Sequence, residues 1–135
     1  MSKGRTKKRY HDKNASLKPN DTFGTIFDSM LQSKAGKKLT AGERNMYVFC
    51  RVQAQSKDGK ACLYAHGKEY GREYNIEKHF VFPAKHMEKY GIDRSNGHKW
   101  LQRLEEKGFI EKIESNKHLQ KVSVYAFSNR WQNTS

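Results

Sequence analysis

The chain has 135 residues, 35% of them hydrophobic, and carries 27 basic against 14 acidic side chains for a formal net charge of +13. That length holds one domain with an ordinary core and a tail, and no apolar run approaches the roughly 18 residues that a membrane-spanning helix needs. A field of this sign favours polyanions, nucleic acid first, with an anionic membrane surface or an acidic protein as the alternatives. Two cysteines, Cys50 and Cys62, are too few for a disulfide scaffold and point to free thiols in a reducing compartment. The basic N-terminus has no apolar stretch behind it, as a secretion signal would, so a cytoplasmic protein is expected.

Residues 1–20 read as an arm. Lys3, Arg5, Lys7, Lys8, Arg9, Lys13 and Lys18 stand there against Asp12 alone, with no apolar periodicity, and such a segment is expected to be disordered when free. It can follow phosphates or enter a minor groove, adding affinity by counterion release, or it can simply solubilise the chain. Residues 21–135 then form the domain. Asp21 or Thr22 can cap a short helix running through Ser33, with Phe23, Ile26, Phe27, Met30 and Leu31 on its apolar face. Ala35-Gly36-Lys37-Lys38 should break it.

Thr40 with Glu43 three residues on makes a capping box. It opens a helix to about Gln55 whose Met46, Tyr47, Phe49, Cys50 and Val52 suit a central support. Residues 57–78 show no clear period, but a structureless connection of about 20 residues is unusual inside a domain, so a short helix or hairpin is expected there without a definite place. Tyr64, Tyr70 and Tyr74 are interleaved there with cations. They can stack on unpaired bases or rest on a nucleic-acid backbone, or pin the segment to the surface, the commoner use.

Cys62 and His66 have the spacing of a zinc pair, but His79 and His86 supply no second one, and structural zinc takes four ligands. Glu69, Glu73 and Glu77 recur every four residues and could share a helical face, yet cations interrupt them. Neither a phosphate-binding loop nor a nucleophile elbow occurs. The chain therefore reads as a binder and not an enzyme, with no metal and no cofactor.

Residues 83–128 carry the strongest pattern. Pro83 suits a first helical turn, and Gly91 suits a left-handed closure. Met87 and Tyr90 lie inward, and Ile92 plugs the corner. Asp93 can cap the next helix by accepting from Ser95 or Asn96 N–H. Over 94–107, one stripe collects Gly97, Trp100, Leu101 and Leu104. Ser95, His98, Lys99, Gln102 and Arg103 fall outward with Asn96 at the edge, and Glu105 and Glu106 enter only at the end. In a major groove, Ser95, Asn96, His98, Lys99 and Gln102 would read bases, while Arg94 and Arg103 would meet phosphate. Phe109, Ile110 and Ile113 then begin one strand, and Val122, Val124 and Ala126 alternate along a second. The tip, Asn116 to Gln120, exposes Lys117 and His118, and Lys112 and Lys121 flank it, all suited to phosphates or a minor groove.

Tyr90-Gly91-Ile92-Asp93-Arg94-Ser95, then Leu101 and Leu104, then Glu106-Lys107-Gly108-Phe109-Ile110 resemble the winged-helix superfamily of bacterial DNA-binding proteins. His79-Phe80-Val81-Phe82 looks like its short first strand. The ending Tyr125-Ala126-Phe127-Ser128-Asn129-Arg130-Trp131 is similar to small winged-helix proteins of phages, plasmids and integrated elements, some of which resemble the DNA-binding half of replication initiators. The resemblance spans roughly Thr40 to Trp131. It implies a mainly α (α+β) winged helix-turn-helix with a C-terminal two-stranded wing behind a basic arm. The implied function is sequence-specific double-stranded DNA binding, in transcriptional control or origin recognition for a mobile element, and a homodimer is open. RNA binding or nucleoprotein assembly through the same basic surface is the alternative. The chain departs from the family at Gly97, where an apolar residue is usual, and at Trp100, where a small one is. Trp100 would fill the space beside Gly97, whose glycine costs the helix about 1 kcal/mol.

Overall fold

The structure, a computed structural model, describes residues 22, 24, 26–114 and 123–133. The arm, Asp21, Phe23, the tip between the two strands, Lys121 and Val122 lie outside the described residues.

The central helix, α3 (Ala41–Gln55), starts where the local chemistry says it should. Thr40 accepts from Glu43 N–H through its hydroxyl (3.2 Å), and the Glu43 carboxylate accepts from Thr40 N–H (3.0 Å). Lys107 reaches the same carboxylate at 2.5 Å from the far end of another helix. Met46, Tyr47, Cys50 and Ala54 are buried along α3, so Cys50 is a small core residue, and burial pushes its thiol well above the ordinary value. Ahead of α3, the early helix is shorter than expected. α1 (Asp28–Gln32) begins only at Asp28, and Thr22, Gly24 and Ile26 are not helical. Gly24 instead lies against the α3 backbone, where a Cβ would stand 2.8–2.9 Å from Arg51 and Val52. Of the expected apolar face, Met30 is buried, while Phe27 and Leu31 are exposed. The break falls at Ser33, which caps a further turn, α2 (Lys34–Lys37), by accepting from Gly36 N–H (2.9 Å).

Residues 57–78 hold a helix that periodicity did not reveal. α4 (Lys57–Tyr70) follows α3 at once, sharing Ser56, whose hydroxyl donates to Gln53 O (2.8 Å) and accepts from Gly59 N–H (2.9 Å). Its buried face is Gly59, Leu63, His66 and Gly67. That single large aliphatic group explains the missing apolar stripe. Gly71, at φ +66°, closes α4. Glu73 and Glu77 therefore lie beyond the helix, and the helical face imagined for Glu69, Glu73 and Glu77 does not exist.

The strand β1 (His79–Val81) leads to α5 (Ala84–Lys89). Pro83 sits one place earlier than expected, as the extended residue before the helix and not its first turn. Gly91 (φ +72°) turns the chain into α6 (Arg94–Glu106), and Asp93 caps it by accepting from Asn96 N–H (3.3 Å). Gly108 (φ +88°) turns it again into β2 (Ile110–Glu114), and β3 (Val124–Phe127) returns. The three strands form an antiparallel open sheet in the order β1-β3-β2, with Phe80 opposite Tyr125 and Lys112 opposite Tyr125 on the other side. A short 3₁₀ turn (Arg130–Asn133) buries Trp131, which stacks on Phe109 at 5.9 Å. The result is a mainly α fold with a small C-terminal sheet, compatible with a winged-helix arrangement.

One buried contact gives the fold a pH dependence. Gln53, fully buried, donates through Nε2 to Val81 O (3.1 Å) and lies 2.7 Å from His86 Nδ1, which must be unprotonated to accept. Burial, helped by Lys89, holds His86 below its ordinary value, and the same holds for His79 through burial and Lys78. The unfolded chain then takes up these protons more readily than the folded one. Stability is intact above the unfolded histidine value of about 6.5 and declines as pH falls through it towards the lower folded value. The urea midpoint should fall between about pH 7.5 and about pH 5.5, and His86→Leu should flatten that decline, leaving the His79 part.

Candidate functional site

α6 has two unlike faces. Inward, Gly97, Leu101 and Leu104 are buried, with Met87 and Ile92 closing over them. A Cβ on Gly97 would stand 2.6 Å from Met87 Sδ and 3.1 Å from Ile92 Cγ2. The space beside Gly97 is thus occupied by α5 and the turn, and not by Trp100 as expected. Trp100 is half-buried and lies on the first turn of α3, where a Cβ on Gly42 would meet its indole nitrogen at 2.6 Å. Gly97 and Gly42 each permit a close approach, to different neighbours, and together they set how deeply α6 sits.

Outward, Arg94, Ser95, Asn96, His98, Lys99, Gln102 and Arg103 are all exposed. The structure brings together on one helix every residue there that the pattern assigned to bases or phosphates. Asp93 and Glu106 bracket the strip. Glu106 lies 3.8 Å from Arg103 and accepts a long bond from Gln102 Nε2 (3.5 Å), so the two assigned residues nearest the C-terminal end already meet a carboxylate. The other assigned residues, Lys3, Arg5, Lys7, Lys8, Arg9, Lys117, His118 and Lys121, lie outside the described residues.

The strand pair beside α6 is tied to it. Glu105 accepts from Lys112 N–H through Oε2 (2.9 Å), and Arg130 Nη2 donates to Glu105 O (3.2 Å) and Ile110 O (3.1 Å). These contacts also satisfy outward backbone groups of the edge strand β2, which would otherwise be open to pairing with another chain. At the opposite end of β2, Glu114 is a hub the sequence gave no hint of. It pairs with Arg72, accepts from the Tyr74 hydroxyl, and lies 3.4 Å from His66 Nε2. Burial, and after it hydrogen bonding to Glu114, raises the Tyr74 phenol, and the same carboxylate raises Arg72. Tyr74 therefore pins its segment to the sheet, and His66 is directed at the Glu114 carboxylate. Among the described residues no cluster of three or more histidine, cysteine or carboxylate groups is placed to hold a metal.

A shallow cleft of about 400 Å³ opens between α3 and the end of β3, lined by Tyr47, Arg51, Lys78, Phe127 and Arg130 among others. Its central cation is engaged: the Arg51 guanidinium lies 3.7 Å over the Phe127 ring and donates to the Tyr47 hydroxyl (2.6 Å through Nη2). Among the described residues no helix is long and apolar enough to cross a membrane.

Comparison with protein-family models, with curated proteins and with solved structures gives no match for this chain. The domain's α+β topology is consistent with nucleic-acid-binding fold types.

Proposed function

We propose that this protein is a winged helix-turn-helix that binds double-stranded DNA with sequence preference through the outward face of α6. The observation that carries the reading is the division of α6 itself. Its exposed N-terminal half offers donors and cations with no acid among them, while Gly97, Leu101 and Leu104 lock the opposite face into the core. A helix held this way can present Ser95, Asn96, His98, Lys99 and Gln102 to base edges in a major groove. Arg94 and Arg103 at its borders would contact phosphate, as would Lys117, His118 and Lys121 between β2 and β3 and the cations of residues 1–20. The protein works by binding, without catalysis. Transcriptional control or origin recognition for a mobile element is the role that the sequence resemblance at residues 125–131 implies.

Selection from a random duplex pool with the full chain tests this. A defined motif is expected, and a palindromic one would mean that two copies bind together. Enrichment of no motif, with structured RNA outcompeting mixed-sequence duplex at two salt concentrations, would overturn the reading in favour of RNA binding.

A further inference from the structure

The outer face of α4 is the part of the domain that the α6 reading leaves without a role. At about 100° per residue, Lys57, Lys60, Ala61, Tyr64 and Lys68 fall on one side of the helix, turned away from the buried His66, with Lys60 half-buried at the edge next to Leu63. Tyr64 is 71% exposed, the most exposed of the large hydrophobic side chains among the described residues. Lys60 and Lys68 stand one turn before and one turn after it. Ala61, at the neighbouring position on one side, is too small to cover the ring, and on the other side Gly67 is buried against Arg72 and Tyr74. The outward acids of this helix lie off the stripe, and Asp58 is already held by Lys89 at 2.8 Å.

We infer that this stripe is a second nucleic-acid site, which takes an unpaired strand by stacking a base on Tyr64 and holding the flanking phosphates with Lys60, Lys68 and Lys57. An uncovered aromatic ring between two ammonium groups matches the alternation of base and phosphate along a single strand. In a duplex the base faces are already stacked on one another, so an aromatic face is of use only where the helix is open. The stripe runs about 16 Å from Lys57 to Lys68, enough for two or three nucleotides. It is also fixed in place. Leu63 packs with Val81 and Val124 at the end of the sheet, and His66, Tyr74 and Arg72 grip Glu114 at the point where the chain leaves β2. This site goes beyond the α6 reading and does not depend on it.

Fluorescence anisotropy of the full chain with labelled oligothymidylate of about 15 nucleotides, and separately with a blunt duplex, tests the inference. Tyr64→Ala should weaken oligothymidylate binding about fivefold or more and leave the duplex within about twofold, while Tyr64→Phe, which keeps the ring, should behave as the parent. Lys60→Ala and Lys68→Ala should each lower the salt slope on the single strand by about 0.7. The inference is overturned if the parent does not bind the single strand, if Tyr64→Ala binds it as the parent does, or if that variant loses both ligands equally, which would make the contact one with duplex backbone. A parent that binds oligothymidylate but no duplex would sink the α6 reading and leave this one standing.

Discussion

Truncating Phe109 to alanine should cost about 3–5 kcal/mol of folding stability. The ring is fully buried, stacked on Trp131 with the planes 6° apart, and meets the Tyr47 ring edge-on at 6.0 Å. It therefore joins the support helix α3, the turn after α6 and the 3₁₀ turn in one contact. The backbone around it is bonded independently of the side chain: Phe109 N–H donates to Leu104 O (2.9 Å) and Ser128 N–H to Phe109 O (3.0 Å). Alanine would keep those bonds and leave a cavity with three rigid walls, which cannot collapse far. Domains of this size hold only about 5–15 kcal/mol in all, so the variant should be partly unfolded at physiological temperature. Phe109→Leu should cost under about 2 kcal/mol. Urea denaturation of both variants decides the matter, and a loss below about 1 kcal/mol for alanine would mean that this ring is not where the three elements meet.

Phe109 was legible in the sequence because its signals are local. Gly108 precedes it, and an alternating run follows. The same is true of Thr40 with Glu43, of Gly91, and of Asp93, where a backbone conformation or a capping bond is settled within four residues. The helix α4 was not legible, because what buries it is not hydrophobic periodicity. Gly59 and Gly67 let it lie close to its own preceding turn and to Tyr74, and His66 faces Glu114, which is 48 residues away. A glycine in a helix reads as a break, and a buried histidine reads as polar. The companion signal was Ser56, whose ability to close one helix and open the next is visible only once both helices are known. Gly97 and Trp100 failed in a related way. Each was recognised as unusual, but their proximity on one face suggested that they fill each other's space, when each in fact meets a different helix. Of the assigned site, the exposed strip on α6 followed from its own period, and Glu114, which ties α4 to the sheet, had no local signature.

Reversing the charge at Lys99 should reduce duplex affinity by more than about tenfold while leaving the melting temperature within about 2 °C. Lys99 is exposed at the middle of the α6 strip, one turn before the Glu106-linked Gln102 and Arg103. A glutamate there would face the groove with an acceptor where the other outward residues offer donors, and would repel phosphates on both walls. A good base contact is worth about 1–3 kcal/mol, and an opposing charge adds to its loss. The control is Lys34→Glu, on the exposed side of α2. It makes the same change in net charge, and so the same change in the overall field, without touching α6. If the two variants weaken binding equally, attraction by the whole cationic chain accounts for the affinity and α6 has no privileged place. If Lys99→Glu alone weakens it and the loss persists when salt is raised, the contact is local, because a delocalised field would be screened away. A variant of Lys99 that bound duplex as tightly as its parent would remove α6 as the reading surface, whatever the rest of the fold resembles.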